Sequence, residues 1–261
     1  MRESTFSALF GAMSNEARMD LIANNLANVN TTGFKRQQVA FKDTFIRFAH
    51  DNLVDAKPYM RDQDLWPKPH VMARPRLYES RTDFSQGSLQ TTNNPLDFAL
   101  VGNGFFKVRT PEGTEYFTRS GSFQIAGDGR LITEQVFEVV GQGGGGITLP
   151  RGSQVQVDAA GQIRSGNEVV GALQISAVSD MRALEQVGGN LYRLRPNSRA
   201  EETAPTELTV QQGALEKPNV EVVSEMVAMI EVQRAFEMYQ KVITGTDEMD
   251  RKVITQVGRP T

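Results

Sequence analysis

The sequence contains no cysteine. That excludes disulfides, thiolate metal sites and a cysteine nucleophile, and it is compatible with passage through an oxidising compartment. Histidine is nearly missing. Only His50 and His70 occur, both in one proline-rich stretch, at a spacing that defines no zinc site. No run of about 18 apolar residues is present, so no helix is expected to span a membrane. The N-terminus also lacks a leader-type apolar stretch, because Glu3, Asn15, Glu16, Arg18 and Asp20 interrupt it. An excess of positive charge is missing too. There are 28 basic and 31 acidic residues, a net charge of −3, and the basic ones are scattered, which argues against a nucleic-acid partner. The usual motifs of nucleophile elbows, zinc peptidases and dinucleotide-binding turns do not occur. Gly141–Gly146, "GQGGGG", has no Lys-Ser/Thr after it and reads as a flexible turn. Asp97 follows Asn93-Asn94-Pro95-Leu96 and reads as a turn residue rather than a general acid.

What is there is a chain of 261 residues, 39% hydrophobic and 23% charged, enough for one large domain or two modest ones. It reads as helix, strand-rich middle, helix: an α+β chain. Residues 3 to about 30 are expected to be helical, with Phe6, Phe10, Met13, Ala17 and Leu21 forming one apolar stripe and Gly33 the stop. Residues 37–48 extend as a short helix or strand. Residues 50–75 are irregular, since Pro58, Pro67, Pro69 and Pro75 forbid an ordinary helix interior. Trp66 lies there, which suggests that the segment packs on something. Residues 76–210 alternate short apolar runs with Gly, Asn and Asp, the pattern of an antiparallel β domain. Residues 98–133 read as four strands, with turns at Gly102-Asn103-Gly104, Pro111-Glu112-Gly113, Ser120-Gly121 and Asp128-Gly129. Two Gly-containing stretches, "QGSLQTTNNPLDFA" (86–99) and "QGALEKPNVEVV" (212–223), echo one another at the two edges of this domain.

The last segment has the strongest period. Asn219 is expected to cap a helix over about 219–256, with Glu221 and Glu225 favoured in its first turns by the helix dipole. Met229, Val232, Phe236, Tyr239, Ile243, Thr246, Asp250 and Val253 then follow a three-four alternation, a heptad seam. Val223, Val227, Ile230 and Val242 widen its apolar face. At 1.5 Å per residue such a helix is on the order of 55 Å long, longer than a β domain of this size can cover. Its exposed stripe needs partners: the first helix, and other copies of the chain.

One stretch resists this reading. In "IANNLANVNTTGFKR" (22–36) Asn24, Asn25, Asn28 and Asn30 crowd a helix end, although asparagine competes with the helix for backbone hydrogen bonds. Together with other segments it carries a resemblance. "ANNLANVNTTGFKR" (23–36) is similar to the N-terminal signature of the flagellar rod and hook axial proteins. "NNPLDFAL" (93–100), "GNGFFKV" (102–108) and "YFTRSGSF" (116–123) resemble that family's β domain, and "MVAMIEVQRAFEMYQKVI" (226–243) its C-terminal signature. The matches fall in family order over most of the chain. Length and C-terminal sequence look most like the proximal-rod type. Pro218 before Asn219 leans the same way, and the distal-rod type stays open beside it.

The resemblance implies that the terminal helices pair as a coiled-coil inner domain, residues 1–45 and 211–261. It places a β-rich outer domain at 76–210, with a connecting segment at 46–75. We read that segment either as packing between neighbours and helping to set rod stiffness or as an ordinary linker. The resemblance further implies a structural, non-enzymatic subunit with no cofactor, metal or small-molecule substrate. Such a subunit self-assembles helically into the periplasmic drive shaft between motor and hook. Its partners are its own copies, neighbouring axial proteins and the flagellar type III export apparatus, which passes the chain without a cleaved signal. Termini of this family are expected to order on assembly. On the two signatures the implied assembly residues are Asn24, Asn25, Leu26, Asn28, Gly33, Phe34, Met226, Met229, Ile230, Val232, Gln233, Arg234, Phe236, Tyr239 and Ile243. The asparagines are expected to bond across subunits or to the backbone of the following loop, and Gly33 to adopt a positive φ. Two other readings differ in class: a glycan-binding surface β protein, which needs an aromatic platform, and an enzyme, which needs a clustered acid–base set.

Overall fold

The computed structural model describes residues 2–45, 73–150, 155–166, 168–196 and 198–257. The expectations placed on residues 46–72, with Trp66, His50, His70, Pro58, Pro67 and Pro69, lie outside these. Two compact units form. One gathers residues 1–24, 38–81 and 223–261, and the other residues 25–37 and 82–222.

The first unit holds helix α1 (Arg2–Ala27), helix α2 (Val222–Val257) and the paired strands β1 (Gln37–Phe45) and β2 (Ala73–Thr82). Residues 37–45 are thus strand, and the irregular segment ends before residue 75, because β2 already contains Pro75. A two-stranded sheet consists of edges, where a missing N–H is tolerated.

The stripe expected on α1 is only partly its sheltered face: Phe10, Ala17 and Leu21 are half-buried. Phe6 and Met13 are 52% and 56% exposed, whereas Ala8, Gly11, Ala12 and Ile22 are buried. The cause is close approach rather than bulk. A Cβ on Gly11 would stand 2.5 Å from the ring of Tyr239 on α2, so any side chain there would require the ring to shift. On α2 the expected heptad seam is the sheltered side. Val232 and Thr246 are buried and Met229, Phe236, Tyr239 and Ile243 half-buried, whereas Met226, Val227, Ile230 and Val242 stay exposed.

The second unit is antiparallel β throughout. Five strands, rather than four, occupy residues 98–133: β4 (Phe98–Val101), β5 (Phe105–Arg109), β6 (Glu115–Thr118), β7 (Phe123–Ile125) and β8 (Leu131–Thr133). The four turns were legible; β7, three residues between two of them, was too short to stand out. With β9 (Glu138–Val139), β13 (Ile175–Val178), β14 (Leu184–Gly188), β15 (Leu191–Leu194) and β16 (Glu202–Thr203) they build the main sheet, apart from β4. Its path runs β14-β15-β6-β5-β9-β8-β7, with β13 beside β5 and β16 beside β13. Strands β10 (Val155–Val157), β11 (Gln162–Ser165) and β12 (Glu168–Ala172) form a separate sheet.

Consecutive phenylalanines on β5 point to opposite faces and seed two cores. Phe106 joins Phe98, Leu100, Phe123, Leu131, Val139, Ile163 and Leu173. Phe105 joins Phe117, Val178, Leu184 and Tyr192. The aromatic rings meet edge-on, Phe106 to Phe123 at 5.2 Å and Phe84 to Tyr192 at 5.2 Å. Asp97 is a turn residue. Its carboxylate accepts hydrogen bonds from Thr92 Oγ1 at 2.7 Å and Asn94 Nδ2 at 2.9 Å.

The echoed stretches prove to be partners. Strand β3 (Leu89–Thr91) pairs with β18 (Ala214–Glu216), and β17 (Thr209–Gln212) pairs with β4. The two edges of the β unit are therefore zipped to each other.

Backbone meets backbone at Gly121, where a Cβ would lie 1.6 Å from the carbonyl oxygen of Phe98. Gly143, by contrast, has nothing within 4 Å of a Cβ. Gly121→Ala is expected to destabilise the β unit by about 3 kcal/mol or more, and Gly143→Ala to stay within about 0.5 kcal/mol of the parent. Urea unfolding followed by tryptophan-independent circular dichroism checks both.

Candidate functional site

The residues after α1 fold against the β unit rather than continuing as helix. Asn25, buried at the last turn of α1, explains the asparagine crowding in part. Its amide donates to the carbonyl of Gln37 and accepts from the N–H of Gln37, each at 2.9 Å. A side-chain amide here imitates a strand partner and returns the chain on itself. Asn28 accepts from the Thr31 hydroxyl and its carbonyl accepts from the Thr31 N–H, closing the turn. Asn24 is exposed and Leu26 half-buried.

Gly33 follows with φ +68°, as expected. Two constraints coincide there. An L side chain is strained at that φ, and a Cβ would lie 2.5 Å from the backbone carbon of Arg119. The Gly33 N–H donates to the Glu216 carbonyl at 2.8 Å, and Asn190 donates to the Thr32 carbonyl at 3.0 Å. Phe34 is 1% exposed.

Lys35 then enters the interior. Its ammonium donates to Glu216 Oε1 at 2.7 Å and to the Ser85 carbonyl at 2.6 Å. Glu216 Oε1 also accepts from the Gly87 N–H at 2.9 Å. Glu216 Oε2 stands 3.6 Å from the guanidinium of Arg119. All three charged side chains are sealed, at 1%, 1% and 3% exposure. Arg119 further donates to the Leu100 and Gly102 carbonyls at 3.2 and 2.6 Å, and its guanidinium lies 5.6 Å from the Phe105 ring centre. Two cations thus share one buried carboxylate. Burial lowers the pKa of Lys35, against the opposing attraction of Glu216, and lowers that of Arg119. Tyr192 OH lies in the same interior beside the Lys35 backbone, and burial pushes its pKa well above the usual tyrosine range.

Asn219 closes the other side. Its Oδ1 accepts from the Arg36 N–H at 2.7 Å, and its Nδ2 donates to the carbonyls of Asp83 and Ser85 at 2.8 and 3.1 Å. It is therefore not the cap of α2, which starts three residues later at Val222. Its amide is consumed by backbone groups that would otherwise be unpaired. The site is a clasp in which residues 31–37, 83–88 and 214–219 interlock around one carboxylate.

Of the assembly residues implied by the sequence, Gly33 and Phe34 are part of this clasp, and Asn25 bonds to its Gln37. On α2 of the other unit, Gln233 and Arg234 are exposed beside the sheltered seam. Sequence reasoning did not single out Lys35, Arg119 or Glu216, and it gave Asn219 the role of a helix cap. One signal was available: Ala214 and Glu216 share the inward face of β18, where a charge needs a partner.

Removing one member of a buried ion pair leaves the others uncompensated. Glu216→Gln is expected to destabilise the β unit by about 3–5 kcal/mol. Adding Lys35→Met should restore part of that loss, since it removes an ammonium left without its carboxylate. Chemical denaturation of the two variants and the parent decides this.

Comparison with known proteins follows the same layout. The model for a flagella basal body rod protein matches residues 7–35. The D1 domain of flagellar hook protein FlgE/F/G matches residues 99–165. The C-terminal domain of flagellar basal body rod FlgEFG proteins matches residues 211–256. Flagellar basal-body rod protein FlgF of Caulobacter vibrioides is 34% identical over 99% of this chain and 99% of its own. The rod protein FlgG of Agrobacterium fabrum is 32% identical over 93% and 94%, and FlgG of Bacillus subtilis 30% over 97% and 98%. FlgF and FlgG relatives match almost equally well. By these matches the chain belongs to the flagellar basal-body rod protein family and is a structural subunit of the rod.

Proposed function

We propose that this subunit is of the FlgF type and contributes to the proximal rod. A FlgF protein is 34% identical along 99% of this chain, and FlgG relatives at 30–32% along 93–97% keep the distal rod as the second reading. In this reading α1 and α2 pair as a coiled coil in an inner domain, residues 1–45 and 211–261. The β domain, residues 76–210, lies outside it, joined through residues 46–75. Copies stack helically in the periplasm and transmit torque from motor to hook. The chain leaves through the type III export apparatus with no cleaved signal, and it performs no catalysis.

The observation that carries the reading is the two-sided apolar character of α2. Its seam residues Met229, Val232, Phe236, Tyr239 and Ile243 are sheltered, and Gly11 of α1 admits the Tyr239 ring. A second apolar face, Val223, Met226, Val227 and Ile230, remains 50–70% exposed, and Phe6, Leu9 and Met13 of α1 are 45–56% exposed. A monomer rarely leaves so much apolar helix surface open unless another chain covers it. Isolated long helices gain most of their stability from such packing, which fits termini that order on assembly.

Phe236→Asp places a charge in the seam, a change that costs several kcal/mol where it cannot be solvated or paired. The expected result is loss of rod assembly and swimming, with the thermal transition of the β unit retained in the purified variant. Collapse of that transition would instead mark the seam as an ordinary core of the monomer and overturn the reading.

A further inference from the structure

Charge is unevenly spread over the β unit. Residues 181–200 carry four arginines, Arg182, Arg193, Arg195 and Arg199, and a single acid, Glu185. The rest of residues 82–222 carries seven basic and fifteen acidic residues. A basic island thus stands in an acidic unit.

The fold turns part of this island into a cleft. A single turn of 3-10 helix, Met181–Ala183, begins at Asp180, whose carboxylate accepts from the Arg182 N–H at 3.0 Å. The turn from Arg195 to Ser198 faces it, tied back by the Arg195 N–H donating to the Ala183 carbonyl at 2.9 Å. Between them opens a cleft of about 430 Å³, lined by Ser179, Asp180, Arg182, Arg195, Ser198 and Arg199. Ala183 and Ala200 also line it, and Ala200 packs on the Phe105–Tyr192 core, so the cleft is anchored to that core. Arg193 points elsewhere and pairs with Glu185. Within the cleft Asp180 meets Arg182 only at 3.7 Å, at a strongly exposed position. The exposed guanidinium groups of Arg182 and Arg199 therefore line one opening that contains one carboxylate.

We propose that this cleft is an electrostatic docking surface for exposed carboxylates on the β unit of a second copy of the chain. Guanidinium forks match carboxylates in a planar, two-bonded geometry. The acids that would fill them are on the same molecule's remaining surface, including Glu112, exposed at the turn between β5 and β6. Complementary fields of this kind set register and encounter rate more than raw affinity. The proposal rests on the rod-subunit reading and assigns to the β unit a contact distinct from the apolar faces of the helices.

Sedimentation of the purified full chain at increasing concentration, in low and in high salt, tests it. Self-association that weakens with salt is expected, because charge contacts at a surface are screened within about 10 Å at 0.1 M salt, whereas apolar contacts are not. Arg182→Glu/Arg199→Glu should weaken association about tenfold in low salt and abolish its salt dependence. Arg164→Glu, an exposed arginine outside the cleft, should leave both unchanged. Association that ignores salt, or that falls equally with Arg164→Glu, overturns the proposal. Neither result touches the rod reading, which stands or falls separately with the seam variant Phe236→Asp.

Discussion

The carboxylate of Glu216 is the constraint on which the rest of the β unit's entry and exit depends. It accepts from the ammonium of Lys35 and the N–H of Gly87, and it faces Arg119. Those contacts come from three separate stretches of chain. A buried charge that holds partners in this way is costly to form, because each ion loses its water. It is correspondingly selective, because no register shift of β18 against β3 keeps a carboxylate at the same point. Apolar side chains in these positions could match the packing but would not penalise a misplaced strand in the same way.

Asn25 and Asn219 extend the same logic with neutral groups. Each uses both ends of its amide on backbone atoms far away in sequence, Asn25 on Gln37 and Asn219 on Arg36, Asp83 and Ser85. The chain passes between its two units near these residues, at 24–25, 37–38, 81–82 and 222–223. Backbone that changes direction there has no regular ladder to satisfy it, and side-chain amides supply the missing partners. The asparagine-rich helix end, unfavourable as helix, is favourable as a place to leave one.

Much of this was legible in the residues. The helix–β–helix order, the turns of residues 98–133 and the seam of α2 follow from period and turn chemistry alone. The paired stretches 86–99 and 212–223 could be seen as an echo before they could be seen as strands β3 and β18. Other features are set by tertiary contact. On α1 the small Ala8, Gly11 and Ala12 are buried, with Gly11 against the Tyr239 ring, while the larger Phe6 and Met13, which dominate any hydrophobicity pattern, face outward. Asn219 has the chemistry of a helix cap, yet the Arg36 N–H and two carbonyls claim its amide first. The arginines of residues 181–200 look scattered in a count over the chain, and only the folding of two turns gathers three of them around one cleft.

The tetraglycine turn carries a different kind of consequence. Gly143, Gly144 and Gly145 have no neighbour within 4 Å of a Cβ, although Arg109 holds the Gly144 carbonyl at 2.7 Å from below. The turn is closed at its base by the Gly141 N–H on the Gly145 carbonyl. Its ends are thus fixed and near each other while its tip meets open space, the arrangement in which a chain best tolerates inserted sequence. For anyone wishing to light up this subunit in a living cell, that tip is a natural splice point for a small reporter, since both helices and the clasp are left untouched.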